Sequence, residues 1–314
     1  MVRMRQNPSG SAFGAGVLTD VRASRAADEY GPFGAAVVKP FSITRRTHDG
    51  KALLKTYRVI EPGARRDREV EALTLASEWG LAVPDVLAAG EDGDRAWALL
   101  SVVPGKPSAI STNADVEAFV ARAMAIGAVL HRAVPDATSG TGWGRRRDSE
   151  AATSHSGFLL SQLSPRCREQ PWWEDLNGHL HQIDQLPTVY LHGDIKPDHL
   201  LVDGETLHVV DWEASSRGPA ACDHADIVFH LVRDLAYSAV GLRDLPADAI
   251  GRVPSVGPIL AWRIALWLDR RRPQDIDALS SSDLNQLAHA PAGADAVLAV
   301  GRVVAACRNR GTPR

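Results

Sequence analysis

The stretch of sequence that decides the fold is residues 188–215, TVYLHGDIKPDHLLVDGETLHVVDWEAS. Two apolar, β-prone runs flank Asp203-Gly204, and this arrangement is a strong short-range signal for a β-hairpin. With the turn centred near Gly204–Glu205, the numbers of facing residues are expected to sum to about 410. His199 then faces Asp211, and facing side chains of an antiparallel pair lie about 5 Å apart. The hairpin is therefore expected to place two potential metal ligands side by side.

The polar loop before this hairpin, HGDIKPDH at 192–199, carries a carboxylate and a lysine two positions apart, Asp194 and Lys196. Phosphoryl transfer needs a carboxylate near the attacking hydroxyl, ligands for Mg²⁺ and cations near the phosphates. The loop and the hairpin together supply all three. The alternative is that Asp194 and Asp211 are ordinary turn and strand-end carboxylates. That alternative suits an isolated His-Gly-Asp better than one set between two strands.

These motifs resemble the aminoglycoside phosphotransferase and choline kinase family, which is related in fold to the protein kinases. The resemblance is carried by His-Gly-Asp at 192–194, by a polar residue five positions after the Asp, and by Asp-Trp at 211–212. The segment GLAVPDVLAAG at 80–90 also matches the family. Lys-Pro at 196–197 is similar to a protein kinase catalytic loop, with Gly193 where those enzymes carry Arg. His199 departs from the family, which has Asn there.

The resemblance implies an α+β, bilobal, protein-kinase-like fold. A small N-terminal nucleotide-binding lobe, residues 1–103, is expected to hold an antiparallel sheet and one helix. A larger, mainly helical C-terminal lobe, residues 104–314, is expected to carry catalysis and substrate binding. The two lobes would meet at a hinge after the buried-type strand AWALLSVV at 96–103, which Pro104-Gly105 stops.

A second hairpin is predicted at 42–57, where SITRRT and KALLKTY flank His48-Asp49-Gly50. Lys55 shares a strand face with Leu53 and Tyr57. A lysine on an inward face is costly unless it meets a negative partner. The resemblance implies that Lys55 holds the α- and β-phosphates of a nucleotide. The alternative is an edge-strand lysine that opposes aggregation.

The partner expected for Lys55 lies in the segment RRDREVEALTLASEW at 65–79, which has helical character after a break at Pro62-Gly63. Glu69 is on one helix face with apolar residues three, four and seven positions later. It can therefore reach inward, and the resemblance implies an ion pair with Lys55. Glu71 is the competing candidate. For a turn that covers the nucleotide, Gly31 and Gly34 are the candidates, with an ordinary loop as the alternative.

The resemblance assigns a role to the central carboxylate and its neighbours. Asp194 would accept the proton of the substrate hydroxyl or orient toward it, and Lys196 would meet charge on the transferred phosphoryl group. Asp211 and His199 would hold Mg²⁺. Because imidazole suits transition metals, His199 either binds metal, with Mn²⁺ favoured, or only hydrogen-bonds the loop.

The remaining assignments concern the hinge and the support of the catalytic loop. The backbone of Ser101 and Val103 would hydrogen-bond a purine base, adenine or guanine. His192 would pack behind the loop and bond its backbone. Asp223 would accept backbone N–H groups and brace the loop, with an N-cap role for a helix near Ala225 as the alternative.

The amino-acid composition limits the kinds of binding partner that are expected. The chain has 314 residues, 45% of them hydrophobic and 23% charged, with a net charge of −3, so no nucleic-acid or membrane partner is expected. No run of about 18 apolar residues or signal peptide is evident. Three widely spaced cysteines favour neither disulfides nor zinc and indicate a reducing cytoplasm. A monomer or a homodimer is expected.

The predicted function is a kinase that uses ATP or GTP and Mg²⁺ or Mn²⁺ to phosphorylate a hydroxyl of a small molecule, an antibiotic or related natural product. After Asp226 the sequence has 8 Asp, no Glu and 11 Arg, which disfavours a polycationic aminoglycoside. One alternative is a metabolic sugar or amino-alcohol kinase of the same fold. The other is a pseudokinase-like nucleotide-binding module.

Overall fold

The computed structural model describes residues 30–58, 61–93, 95–132, 154–237, 247–254, 257–289 and 293–309. The strands are β1 (Val37–Val38), β2 (Ser42–Arg46), β3 (Ala52–Tyr57), β4 (Val86–Asp92), β5 (Arg95–Ser101), β6 (Lys106–Pro107), β7 (Val189–Leu191), β8 (Leu200–Asp203), β9 (Thr206–Val209) and β10 (Ser216–Gly218). The helices are α1 (Pro62–Glu78), α2 (Asn113–Leu130), α3 (His155–Ser161), α4 (Pro165–Arg168), α5 (Trp173–His181), α6 (Ala221–Tyr237), α7 (Ala247–Gly251), α8 (Gly257–Asp269), α9 (Ser281–Ala288) and α10 (Gly293–Asn309). Short 3₁₀ segments are Gln182–Gln185, Pro197–His199 and Pro273–Ala278.

The N-terminal part is an antiparallel sheet of five strands in the order β1-β2-β3-β5-β4, with helix α1 packed against it. The β2–β3 hairpin turns at His48-Asp49-Gly50 as predicted. The predicted break at Pro62-Gly63 is wrong, because α1 begins at Pro62. Proline fits the first helical position, where its missing N–H has no partner to lose and its fixed φ is already helical.

The C-terminal part is mainly helical and holds most of the apolar core. Helix α6 packs against α8 and against α10, and it also contacts α2. The largest fully buried side chains of this part are those of Phe119, Trp172, Trp212 and Phe229. Trp212 comes directly after Asp211, so the packing of its ring anchors the position of that carboxylate.

The predicted β8–β9 hairpin forms, but its register differs by one residue from the expected one. Asp203 pairs with Thr206 and Leu200 with Val209, so facing numbers sum to 409. His199 is therefore level with Val210, whose N–H donates to the His199 carbonyl at 3.0 Å. A two-residue turn fixes this register. Asp211 lies one position beyond, where the chain has left the strand.

These elements confirm the α+β, bilobal, kinase-like fold, with one sheet-and-helix lobe and one mainly helical lobe. We propose the boundary at residues 103/104. Strand β5 ends at Ser101, and the next strand, β6, pairs with β8 in the second lobe. Among the residues that the structure describes, no helix is both long and apolar enough to cross a membrane.

Candidate active site

Lys55 is the centre of a buried ion cluster between the two lobes. Its Nζ lies 2.7 Å from Glu69 Oε2, 2.6 Å from Asp211 Oδ1 and 3.1 Å from Glu213 Oε2. Burial alone would lower the pKa of Lys55, but the charges of Glu69 and Asp211 outweigh it and hold that pKa well above its ordinary value. The Tyr57 hydroxyl donates to Glu69 at 2.8 Å, so Glu69 rather than Glu71 is the inward glutamate.

Asp211 links this cluster to the catalytic loop. Its Oδ2 lies 3.1 Å from His199 Nε2 and 3.3 Å from Lys39 Nζ. Burial would raise the pKa of Asp211, but the charge of Lys55 outweighs it and holds that pKa well below its usual range. The backbone of Asp211 has φ 69°, a left-handed conformation that costs on the order of 1–3 kcal/mol outside glycine.

The donor set of His199 and Asp211 fits a divalent cation. His199 Nδ1 lies 2.9 Å from the carbonyl oxygen of Asp194, so Nδ1 carries a proton and donates to it. The other nitrogen, Nε2, is then the one available to a metal, and it faces Asp211 Oδ2. Two ligands at right angles around an ion of magnesium size lie about 3 Å apart. Glu69, Asp211 and Glu213 also bring one carboxylate oxygen each within 4.8 Å of one another.

Asp194 is held by two side chains from opposite sides. Lys196 Nζ lies 2.7 Å from its Oδ2, and His230 Nε2 lies 2.9 Å from its Oδ1. Burial alone would raise the pKa of Asp194, but the hydrogen bond from His230 and the nearby positive charge of Lys196 hold it well below its usual value. The carboxylate is therefore ionised at neutral pH and able to accept a hydrogen bond from a hydroxyl group.

The catalytic loop is braced from behind by Asp223. Its Oδ1 accepts the N–H of Gly193 at 2.9 Å and its Oδ2 accepts the N–H of His192 at 3.2 Å. Helix α6 begins at Ala221, so Asp223 lies inside its first turn and the alternative of an N-cap before Ala225 is wrong.

The loop is also supported by His192 and shaped by Gly193. The buried His192 ring lies 3.3 Å from the Asp194 N–H, through Nδ1, and 3.2 Å from the Val210 carbonyl, through Nε2. Burial lowers the pKa of His192 to about 4, so the ring is neutral. Gly193 has φ 79°, and a Cβ there would overlap the carbonyl oxygen of Ala214. The chain therefore requires glycine where protein kinases have arginine.

A cavity of about 530 Å³ lies between the lobes beside Lys55 and Asp211. Ser101 and Val103 line it at the predicted hinge. The Ser101 N–H donates to the Asp85 carbonyl at 2.9 Å. A backbone contact from Ser101 to a purine edge must therefore come from its carbonyl oxygen, whereas Val103 has a backbone N–H group to offer.

A second cavity, of about 250 Å³, lies on the other side of Asp194. Its walls carry the aromatic rings of Phe41, Phe158 and Trp262. Among the described residues that line it, four are arginines and three are acids: Arg65, Arg68, Arg263 and Arg270, and Asp194, Glu213 and Asp226. Asp194 and Glu213 line both cavities, so the central carboxylate stands between them.

Glu213 and His230 contact predicted residues and were missed by sequence reasoning. Glu213 is two positions after Asp211, and the Asp-Trp-Glu spacing was a signal for a second carboxylate on the same side of the chain. His230 contacts Asp194 from helix α6, 36 positions later in the sequence. No local pattern relates these two positions, because the contact depends on how the helix packs behind the loop.

The two lobes, the buried lysine–glutamate pair and the carboxylates between two cavities define a kinase-like phosphotransferase. The chain belongs to the phosphotransferase enzyme family, whose pattern it matches over residues 42–252. It is therefore an enzyme that transfers a phosphoryl group to a hydroxyl acceptor.

Comparison with known proteins gives relatives of the same kind. Aminoglycoside 3'-phosphotransferase from Streptomyces ribosidificus is 28% identical over 216 residues, which are 67% of this chain and 75% of that protein. Aminoglycoside phosphotransferase APH(4)-Ia, solved with ADP and hygromycin B, is similar in fold, with TM-score 0.53, 15% identity and coverage of 91% of this chain and 98% of that one. The amicoumacin kinase hAmiN, solved with AMP-PNP, Ca²⁺ and Ami, has TM-score 0.52, 12% identity and coverage of 88% of each chain.

Proposed function

We propose that this protein transfers the γ-phosphoryl group of ATP or GTP to a hydroxyl of an antibiotic or related natural product. The single observation that carries the proposal is the position of Asp194 between two cavities. The larger cavity has the lysine, the metal-type ligands and the hinge that a nucleotide needs. The smaller one opens on the same carboxylate, so a hydroxyl held there would face the terminal phosphate.

Each of the central side chains has its own role in the proposed phosphoryl transfer. Asp194 receives the hydroxyl hydrogen bond and orients the attacking oxygen, an effect that typically contributes 10²–10⁴ in rate. Lys55, fixed by Glu69, meets the α- and β-phosphates. Lys196, which contacts Asp194, would turn to the negative charge that develops on the transferred phosphoryl group. A divalent ion held by Asp211 and His199 supplies charge neutralisation between the phosphates when it is bound.

The smaller cavity supports an acceptor that carries few ammonium groups. Four arginines and three acids line it, and two of those acids already face arginine: Asp226 lies 2.6 Å from Arg263, and Glu213 lies 3.8 Å from Arg65. A polycation would meet repulsion there. The three aromatic rings offer an apolar surface to a neutral or weakly charged ring system.

The proposed reaction also bears on the cellular location and the oligomeric state of the protein. Nucleoside triphosphates and a free divalent cation are cytoplasmic reagents, so we place the reaction in the cytoplasm. Nothing in the proposed mechanism needs a second subunit, because the donor and acceptor cavities share residues of one chain.

The test is a phosphorylation screen on the full chain. The enzyme is incubated with ATP or GTP and with Mg²⁺ or Mn²⁺, and each acceptor is examined by mass spectrometry for the gain of one phosphoryl group. The panel should span aminoglycosides, macrolides, nucleoside and peptide antibiotics, sugars and amino alcohols.

Two variants control the screen. Asp194→Asn should lose roughly 10²–10⁴ in rate while it still binds nucleotide. Asp203 is an exposed carboxylate of the hairpin turn, so Asp203→Asn should keep full activity. Phosphorylated sugars or amino alcohols, with no antibiotic product, would instead support the metabolic kinase. Nucleotide binding without any product would support the pseudokinase-like module.

A further inference from the structure

The turn Lys39–Phe41, between β1 and β2, lies at the nucleotide cavity, whereas Gly31 and Gly34 are not among the described residues that line it. Lys39, Pro40 and Phe41 line the cavity. This turn has little backbone to offer to phosphates. Pro40 has no N–H, and the N–H of Lys39 donates to the Ser42 carbonyl at 2.8 Å. Phosphate-binding loops usually contact phosphates through free backbone amides, so this turn must act by other means.

Lys39 supplies a side-chain cation at the place where those amides would lie. Its Nζ is 3.3 Å from Asp211 Oδ2, and its side chain is 51% exposed. An ion pair with so much solvent access is weak, so the ammonium can leave Asp211 at little cost. A divalent ion bound at Asp211 would also repel Lys39 from that carboxylate.

The charge of the cavity explains why a further cation is needed. Among the described residues that line it, acids outnumber bases by five to four: Glu69, Asp194, Asp198, Asp211 and Glu213, against Lys39, Arg46, Lys55 and Lys196. Lys55 is already surrounded by three carboxylates, and Lys196 contacts Asp194. A nucleoside triphosphate is a polyanion, so Lys39, with its half-exposed side chain, is well placed to meet it.

We infer that Lys39 is a phosphate-binding residue, whose ammonium passes from Asp211 to the terminal phosphates of the bound nucleotide. A charged side chain thus replaces the amides of a glycine-rich loop. This inference rests on the proposed nucleotide-dependent function, but its test requires no knowledge of the acceptor.

The experiment measures nucleotide affinity by isothermal titration calorimetry on the full chain. Wild type, Lys39→Met, Lys39→Arg and Lys51→Met are titrated with adenosine, ADP and ATP, each with Mg²⁺, and with the guanine series if ATP does not bind. Lys51 is the matched control, because it lies in the next turn of the same sheet with its side chain 85% exposed. Thermal melting of each variant without nucleotide reports whether the fold is intact.

The expected result is that Lys39→Met weakens ATP binding about 10-fold, with a smaller loss for ADP and no change for adenosine. Lys39→Arg should stay within about threefold of wild type, and Lys51→Met should be unchanged. If Lys39→Met bound ATP as well as wild type, or more tightly, the inference would be overturned while the proposed function would stand. If wild type bound neither ATP nor GTP, both would fail.

Discussion

The imidazole Nε2 of His230 lies 2.9 Å from Oδ1 of Asp194, and the His230 side chain is only 3% exposed. Burial, together with the positive charge of Arg263, holds the pKa of His230 well below its ordinary value, so the ring is neutral. Arg263 Nη2 also lies 3.1 Å from this nitrogen, but the shorter contact is with an ionised carboxylate, so we assign the ring proton to Nε2, which donates to Asp194. His230 therefore fixes one carboxylate oxygen of Asp194 without adding charge, and we regard it as a positioning residue.

The first prediction concerns the replacement of His230. His230→Leu should lower kcat about 10-fold, because the Asp194 carboxylate would lose one of the contacts that set its direction. The KM for nucleotide should hardly change, since His230 does not line the nucleotide cavity. His230→Gln, whose amide can donate from nearly the same point, should recover most of the rate. Steady-state kinetics with an acceptor from the screen measures both constants. Equal kcat values for wild type and His230→Leu would rule out the positioning role.

The second prediction concerns metal preference. Imidazole nitrogen favours transition metals over Mg²⁺, whereas an amide oxygen does not. Wild type should therefore favour Mn²⁺ over Mg²⁺ for ATP binding by a larger ratio than His199→Asn does, by about fivefold or more. Calorimetry with each ion gives the two ratios. If the ratio were the same in both proteins, His199 would only hydrogen-bond the loop through Nδ1.

The third prediction compares two glycines that share a left-handed backbone. Gly193 has φ 79° and Gly204 has φ 58°, so alanine carries a similar conformational cost at either position. A Cβ at Gly204 would meet nothing within 4 Å, whereas one at Gly193 would overlap the Ala214 carbonyl.

Gly193→Ala should therefore destabilise the protein by at least ~2 kcal/mol more than Gly204→Ala. Urea denaturation of both variants gives the two free energies of unfolding. Equal losses of stability would show that the loop can move away from Ala214, and that glycine is not required there by packing.

Much of this site could be predicted from the sequence because its parts lie close together along the chain. The loop at 192–199 and the hairpin that follows it depend on local turn chemistry, which a sequence displays directly. Local turn chemistry also explains why the predicted register of the β8–β9 hairpin was wrong by one residue. The exact pairing depends on whether the turn has two residues or three, and Asp-Gly fits both.

What could not be predicted depends on packing between distant segments. His230 is brought to Asp194 by the packing of helix α6, which buries Asp223, His224 and Asp226 as well, so polarity along the helix does not mark one side chain as functional. Lys39 is near Asp211 because the turn between β1 and β2 lines the cavity that also contains Asp211. Residues 37–41 contain no glycine, so glycine content favours Gly31 and Gly34 for a covering turn.

The last prediction concerns Asp226, which lies behind the catalytic carboxylate. Its side chain is buried and its Oδ1 is 2.6 Å from Arg263 Nε. Burial raises the pKa of Asp226 to about 7; the charge of Asp194 adds to this effect, and Arg263 only partly offsets it. An unfolded aspartate has a pKa of about 4. Between these values the folded protein keeps a proton that the unfolded chain has released, so the stability contributed by Asp226 falls as pH rises through this window.

Asp226→Asn has no group to titrate at this position. The free energy of unfolding of wild type, minus that of Asp226→Asn, should therefore decline from pH about 4 to about 7 and then level off. This difference in free energy of unfolding isolates the effect of Asp226. Buried neutral histidines such as His192 and His230 change stability in the opposite direction over part of this pH range, but they are present in both proteins. Urea denaturation at several pH values measures it. A difference that stayed constant, or rose with pH, would mean that Asp226 is ionised in the folded protein at every pH in the window and that Arg263 neutralises it fully.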